Sequence, residues 1–460
     1  MTGPDARTSS PWALEVGACL AFTRRRTLNL VEPLSDDTLT TAVRDFMSPL
    51  VWDLGHIADF ERLWLVDAVE GRFRTGLARR FDALATPRSA RRGAALPSLS
   101  EAHRTMDSVR TKVSALLERV DSTPRDPLLG DGYVYRMVIQ HEGQHQETML
   151  QSLDLEAAGG GQEDDSVAAE PAGAVETPEP VDDSLRVHVP GGSFLMGTDD
   201  RARAYDNERD RHEVSTAAFD IERYPVTNRR WVRFMDDGGY VRPELWSTAG
   251  NDWRTAPGRE DHPQGWAGRG PERTVRRFGR VCALAPAEPV QHVCYWEAEA
   301  FARWCGGRLP TEAEWEKAAS WDAETAVPRT YPWGARGPAD VGFEWVGSTP
   351  EAASAGGPGP GGLWGPERVG RRPDLASPYG VEDMLGSVYA WTSSALRPYP
   401  GFAAFPYPEY SEVFFGDDTY RVLRGTSWAA HPLLWRTSYR NWDLPQRRQI
   451  FAGVRVVYDR

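Results

Sequence analysis

Cysteine is scarce in this 460-residue chain: Cys19, Cys282, Cys294 and Cys305 are all there is, and no two form a C-x-x-C pair. A disulfide framework is therefore not expected, and any metal site must draw on histidine and carboxylate rather than thiolate. No run approaches the ~18 consecutive apolar residues that a membrane span requires. The opening stretch MTGPDARTSSPW lacks the basic segment and apolar core of a secretory leader. The expectation is a cytoplasmic protein with no membrane partner. Lysine is nearly missing, with only Lys112 and Lys317, so arginine supplies the other cations. Residues 156–183 hold no Lys or Arg but nine Asp or Glu, and without those nine the net charge of −13 becomes −4. Such a balance repels phosphate backbones and argues against a nucleic-acid partner.

What is present is enough for two or three domains, with hydrophobic residues at 40% and charged residues at 26%, the composition of a folding chain. Residues 11–155 read as helical. One helix is expected near 12–26. A second follows Ser48 as N-cap with Pro49 at its first position and runs through VWDLGHIADFERLWLV to Val66. Ser100 is expected to cap a third, whose Met106, Val109, Val113, Leu116, Leu117 and Val120 keep helical spacing. A fourth begins near Asp131 and carries Val134, Val138, His141, His145 and Met149. Four such helices assemble most economically as a bundle. Residues 156–185 then read as an acidic linker, with too few apolar groups to offset ordering entropy.

From Arg186 the texture changes to short strands, turns and isolated helices, with most of the 18 Trp, 15 Tyr and 16 Phe. Thr227 opens one helix, the capping box Thr311–Glu314 opens another, and Gln449–Val457 reads as a closing strand. This half, 186–460, is expected to be α+β with long functional loops.

His141 and His145 stand four apart in HEGQHQET, so both rings share one helix face. They continue the stripe of Val134 and Val138 and therefore point inward, where two imidazoles are costly unless something satisfies them. His56, on the helix after Ser48-Pro49, is the third candidate for a three-nitrogen metal site. Three neutral imidazoles suit zinc, iron, nickel or copper, and spacing alone does not choose. His103, His188, His212, His262, His292 and His431 lack comparable spacing and read as structural or surface residues.

The arrangement His56 … His141-x-x-x-His145 resembles the DinB-like helical domain of ergothioneine-pathway sulfoxide synthases. The second half resembles the formylglycine-generating-enzyme (sulfatase-modifying) fold, which is C-type-lectin-like. VPGGSFLMG (189–197), YPVTNRRWVRF (224–234), GGRLPTEAEWEKAA (306–319), YPWG (331–334), SPYGVEDMLGSVYAWTSS (377–394), VLRGTSW (422–428) and RNWDLPQRRQIFAGVRVV (440–457) carry that likeness. No cysteine follows Cys305, so the cysteine-dependent chemistry of that fold's founding member is not expected. The resemblance implies an iron(II)- and dioxygen-dependent enzyme. It would join the sulfur of γ-glutamylcysteine, or of cysteine, to C2 of the hercynine imidazole and give a sulfoxide.

The same resemblance implies residue roles. His56, His141 and His145 would ligate iron, and Gln144 would hydrogen-bond the hercynine imidazole. Tyr407 in PYPEY would donate the proton that directs oxidation toward the C–S bond and Tyr410 would face hercynine, with Tyr399, also in a Pro-rich loop, as the rival for either role. Asn441 and Trp442 would bind the betaine end, Trp442 offering an aromatic face to a quaternary ammonium. Asp443 would pair with the ammonium of the thiol substrate. Arg88 and Arg91, with Arg92 as alternate, would hold its carboxylates. Neither half contains the full set, so both are expected to contribute to catalysis. Ovothiol- or selenoneine-type synthases on the same folds, a zinc-dependent thiol transferase and a non-enzymatic lectin-like module are the alternatives. The chain ends at Arg460 without the methyltransferase domain usual in ovothiol synthases, which weighs against that one. The choice of thiol, the oligomeric state and a structural calcium ion in the loop-rich half are left open by the sequence.

Overall fold

The computed structural model describes residues 11–72, 79–93, 95–119, 128–159, 181–341 and 364–460. The chain divides into two compact units, the first closing at Glu156 and the second holding nearly all that follows. Most of the acidic linker expected at 156–185 lies outside the described residues, as does Val120.

In the first unit, α1 (Pro11–Val31), α3 (Leu50–Arg62), α4 (Leu99–Leu117) and α5 (Tyr133–Gly159) are the long helices, with a single extra turn, α2 (Asp36–Thr40). Their starts correct two expectations, the caps of α3 and α4. Ser48 does not cap α3: Pro49 occupies the cap position, and the buried Ser48 hydroxyl accepts from Arg91 Nη1 at 2.6 Å. Ser98, not Ser100, caps α4, because only Ser98 has a glutamate three residues on, and Ser98 and Glu101 form the reciprocal capping box. Asp131 sits at φ 53° within a 3-10 turn, so α5 starts two residues later, at Tyr133. Beyond Arg62 the α3 segment continues as a π-helical turn, Leu63–Asp67.

The long helices are joined by charge as well as by apolar packing. Arg24 on α1 donates to Glu142 on α5 at 2.8 Å and to Glu61 on α3 at 2.6 Å. Arg110 on α4 donates to the other oxygen of Glu61 at 2.6 Å. Thr27 donates to Glu142, and Gln146 donates to Thr27. Burial alone would lower the Arg24 guanidinium, but the two glutamates hold it above its ordinary value. Removing one partner would strand a buried charge at a cost of ~3–5 kcal/mol. The network fixes the rotation of α5 about its axis and so decides which of its faces the histidines occupy.

The second unit begins with β1 (Arg186–Val189), β2 (Gly192–Met196), β3 (His212–Thr216), β4 (Phe219–Glu222), α6 (Asn228–Asp236) and α7 (Thr248–Thr255). The short strands β5 (Trp266–Ala267), β6 (Thr274–Arg277) and β7 (Arg280–Ala283) precede α8 (Tyr295–Trp304) and α9 (Glu312–Ser320). Then come β8 (Trp321–Asp322), β9 (Val327–Pro328), β10 (Tyr389–Ala395), β11 (Arg421–Arg424), β12 (Arg440–Asp443), β13 (Ala452–Gly453) and β14 (Val457–Asp459). β1 and β2 are separated by Pro190-Gly191 and do not pair with each other; β1 pairs with β4 and β2 with β3. The closing strand expected over Gln449–Val457 is two strands in different sheets. β13 lies beside β10, and β14 beside β4. Thr227 and Thr311 cap α6 and α9 as expected.

A four-stranded sheet in the order β12-β11-β10-β13 carries the sequence Asn441-Trp442-Asp443 on its edge strand. Glu312 on α9 fixes that edge. Its Oε1 accepts from Arg440 Nε at 2.7 Å, Arg424 Nη1 at 3.1 Å and the Tyr399 hydroxyl at 3.3 Å. All four residues are buried. The four cysteines are free thiols, and no described helix is long and apolar enough to cross a membrane.

Candidate functional site

His56 projects from α3, and His141 and His145 from α5, into one place in the helical unit. One nitrogen from each lies within 4.8 Å of the others, and no other trio of His, Cys, Asp or Glu converges this way among the described residues. His56 Nε2 and His141 Nε2 stand 3.1 Å apart. Two nitrogens each ~2.1 Å from a shared ion would be about 3.0 Å apart at a right angle and about 3.4 Å at the tetrahedral angle. The observed spacing falls in that span.

The outer nitrogens are engaged in ways that fix which atoms face inward. His56 Nδ1 donates to the Phe81 carbonyl at 2.6 Å, and His145 Nδ1 donates to Asp53 Oδ1 at 3.1 Å. Each bond leaves the Nε2 lone pair for a metal. Gly55 makes the first possible, because a Cβ there would meet the Phe81 ring at 2.2 Å. The rings are also held by aromatic contacts: His56 stacks on Trp52 with centroids 5.0 Å apart, and His141 on Phe60 at 3.7 Å. The donor set fits a divalent ion bound by neutral imidazoles.

Burial, with repulsion from neighbouring imidazoles, pushes His56 and His141 well below the ordinary 6.5. They are neutral ligands at physiological pH. The unfolded chain takes up protons that the folded one refuses, so stability is complete above 6.5 and is lost as pH falls toward the folded values. For the metal-free protein, moving from about pH 7.5 to about pH 5.5 is expected to lower stability, since both groups are held below the unfolded value. The melting temperature should fall accordingly, and His141→Gln should flatten the dependence. A flat profile in the unaltered chain would contradict the burial of these imidazoles.

The other residues singled out from the sequence fall in distinct surroundings. Gln144 lies between the two α5 histidines and is partly exposed. Arg91 is buried, its guanidinium 3.5 Å over the Trp52 ring and donating to Ser48 and the Thr86 carbonyl. Burial pushes it down to about 10, so it remains a cation at neutral pH. Arg88 is exposed and donates to the Phe46 carbonyl; Arg92 pairs with Asp45. The six remaining histidines stand apart from the trio, as His188 beside Asp220 and His431 accepting from Leu433 N illustrate.

In the second unit Tyr410 is the hub of an aromatic group. It stacks on Tyr205 at 4.0 Å and meets Trp442 edge-on at 5.7 Å and Tyr407 at 6.5 Å. Trp442 also lies 5.5 Å from Phe414. Asp206 ties down the loop that carries both tyrosines, accepting from Phe405 N at 3.0 Å and Ser411 Oγ at 2.8 Å. Tyr205, Asp206 and Phe414 were not singled out from the sequence. Asn441 Oδ1 accepts from Trp442 N, and Asp443 Oδ1 accepts from Leu444 N, with Arg447 at 3.8 Å. Tyr399 is separate from this group. It is buried in the core against Arg440 and bound to Glu312, and burial with the glutamate charge pushes its hydroxyl well above the usual range.

A helical unit presenting three imidazoles, followed by a loop-rich α+β unit, has counterparts among known families. The DinB superfamily matches residues 20–149, and the Sulfatase-modifying factor enzyme 1-like domain matches residues 172–460. The chain thus joins a DinB-superfamily domain to a sulfatase-modifying-factor domain. It is 45% identical to "Hercynine oxygenase" of Mycobacterium tuberculosis over 449 residues, covering 96% of this chain and 98% of that protein. It is 44% identical to the protein of the same name from Mycolicibacterium thermoresistibile, covering 98% and 96%. The formylglycine-generating enzyme of M. tuberculosis is 35% identical over 245 residues, 46% of this chain and 75% of that enzyme. The chain belongs to the hercynine oxygenase family, the ergothioneine-pathway sulfoxide synthases.

Proposed function

We propose that this chain is an iron(II)- and dioxygen-dependent sulfoxide synthase that joins the thiol of γ-glutamylcysteine, or of cysteine, to C2 of the hercynine imidazole. The observation that carries this reading is the convergence of His56, His141 and His145, with the outer nitrogens of His56 and His145 already engaged. When bound there, iron(II) would supply dioxygen activation with coordination positions left open for the substrates. The protein's own groups bind, orient and deliver a proton.

Gln144, between the two α5 ligands, hydrogen-bonds the hercynine imidazole. Trp442 and Tyr410 offer aromatic faces to its trimethylammonium, which has no hydrogen-bond donor and is held best by π faces. Asn441 joins Trp442 in binding the betaine end. Asp443 pairs with the ammonium of the thiol substrate, and Arg88 and Arg91 with its carboxylates. Tyr407 donates the proton that steers oxidation to C–S bond formation. The burial of Tyr399 and its bond to Glu312 support Tyr407 over it.

The reading is tested by mass spectrometry of products formed with iron(II), oxygen, hercynine and each thiol in turn. A hercynine–cysteine sulfoxide adduct, with or without the γ-glutamyl group, is the expected product. Consumption of oxygen with only thiol-derived products would overturn it.

A further inference from the structure

Asp53 lies on α3 one turn before His56 and is buried to 1% exposure. Its Oδ1 accepts from His145 Nδ1 at 3.1 Å, while its Oδ2 is buried with no hydrogen-bond partner. The neighbouring buried carboxylates of the helical unit are treated differently: Glu61 and Glu142 are both matched by Arg24, and Glu61 also by Arg110. Asp53 has no such direct ion pair with an arginine; Arg91 is near enough to feel its charge. A buried carboxylate is costly unless a positive charge compensates it. Three neutral imidazoles around a divalent ion leave the ion's full charge in the same small volume. Each feature accounts for the other.

We propose that Asp53 is a positioning and charge-compensating residue of the metal centre. It fixes the tautomer and orientation of His145 and places one negative charge behind that ligand. The inference rests on the reading that the trio holds a divalent ion. Outer carboxylates of this kind change metal affinity by ~10–100-fold in other histidine sites. Asp53→Asn keeps an acceptor for Nδ1–H and removes the charge; Asp53→Ala removes both.

The test is anaerobic titration of the full chain with cobalt(II) alone, followed by its visible absorption, with circular dichroism to confirm folding. The unaltered chain is expected to bind about one cobalt with an imidazole-type spectrum. Asp53→Asn should weaken binding ~10–100-fold, and Asp53→Ala by more. In iron-loaded protein, Asp53→Asn should also move the ferric/ferrous midpoint potential to more positive values, because a lost negative charge disfavours the ferric state. A purely structural role would leave that potential in place. If Asp53→Ala does not fold, the isosteric Asp53→Asn carries the test. Affinities within about threefold of the unaltered chain, or an unmoved potential, would overturn the role of Asp53. Loss of cobalt in His145→Ala would still leave the trio standing in that case. An unaltered chain that binds no cobalt would overturn the reading beneath it.

Discussion

In His145→Ala, oxygen consumption with hercynine and γ-glutamylcysteine is expected to fall to background, with iron content falling in parallel. The reason is geometric. Among the described residues His145 is one of three ligand side chains that converge on the centre, and its ring is oriented from behind by Asp53. Removing it leaves two imidazoles, too few to hold a labile ferrous ion while leaving room for substrates. The change should not unfold the bundle, because the Arg24–Glu142–Glu61 network and the Gln146 bond to Thr27 do not use the His145 side chain. Activity and metal content should therefore disappear from a protein whose helical signature is intact. Retained turnover would reject His145 as a ligand.

The second large effect concerns the partition of products rather than the rate of oxygen use. In Tyr407→Phe, thiol oxidation is expected to persist while the C–S adduct falls ~100-fold or more, the usual contribution of a positioned proton donor. Tyr407 lies 6.5 Å from Tyr410, itself 4.0 Å from Tyr205, and Asp206 anchors the loop from both sides. The phenyl ring of the variant can keep those contacts, so the change isolates the hydroxyl. Quantifying adduct and oxidised thiol in the same reaction separates this from loss of substrate binding, which would lower both. An unchanged adduct yield would reject the assignment. Tyr399→Phe should instead act on stability through its bond to Glu312.

The histidine trio was legible because helix periodicity is a short-range signal. The four-residue step from His141 to His145 and the inward stripe of Val134 and Val138 follow from the sequence alone. What holds the rings was not legible, since the Phe81 carbonyl comes from a single 3-10 turn, Arg79–Phe81, too short for any periodicity to place. Asp53 was within reach: it stands three residues before His56 and so shares its helix face. The cap of α4 was also readable, because Ser98 has Glu101 at the capping-box spacing and Ser100 has His103 there. By contrast, Ser48 looked like a cap and is instead an acceptor for Arg91, a tertiary partner 43 residues away. In the sequence Tyr399 rivals Tyr407 because it too stands in a Pro-rich loop, and its burial was not readable from that loop. Tyr399 belongs to an ionic core with Glu312, Arg424 and Arg440. The last strand misled because the chain leaves one sheet and enters another: the backbone at Gly453 packs against the Val290 carbonyl where a Cβ would stand 2.3 Å away.

The claim beneath all of this is that His56, His141 and His145 bind one iron together. X-ray absorption at the iron edge of the anaerobically loaded, substrate-free chain tests it most directly. Scattering from three imidazoles at a single iron is the expected result. Fewer than three, or a first shell containing sulfur from a cysteine of the chain, would contradict it.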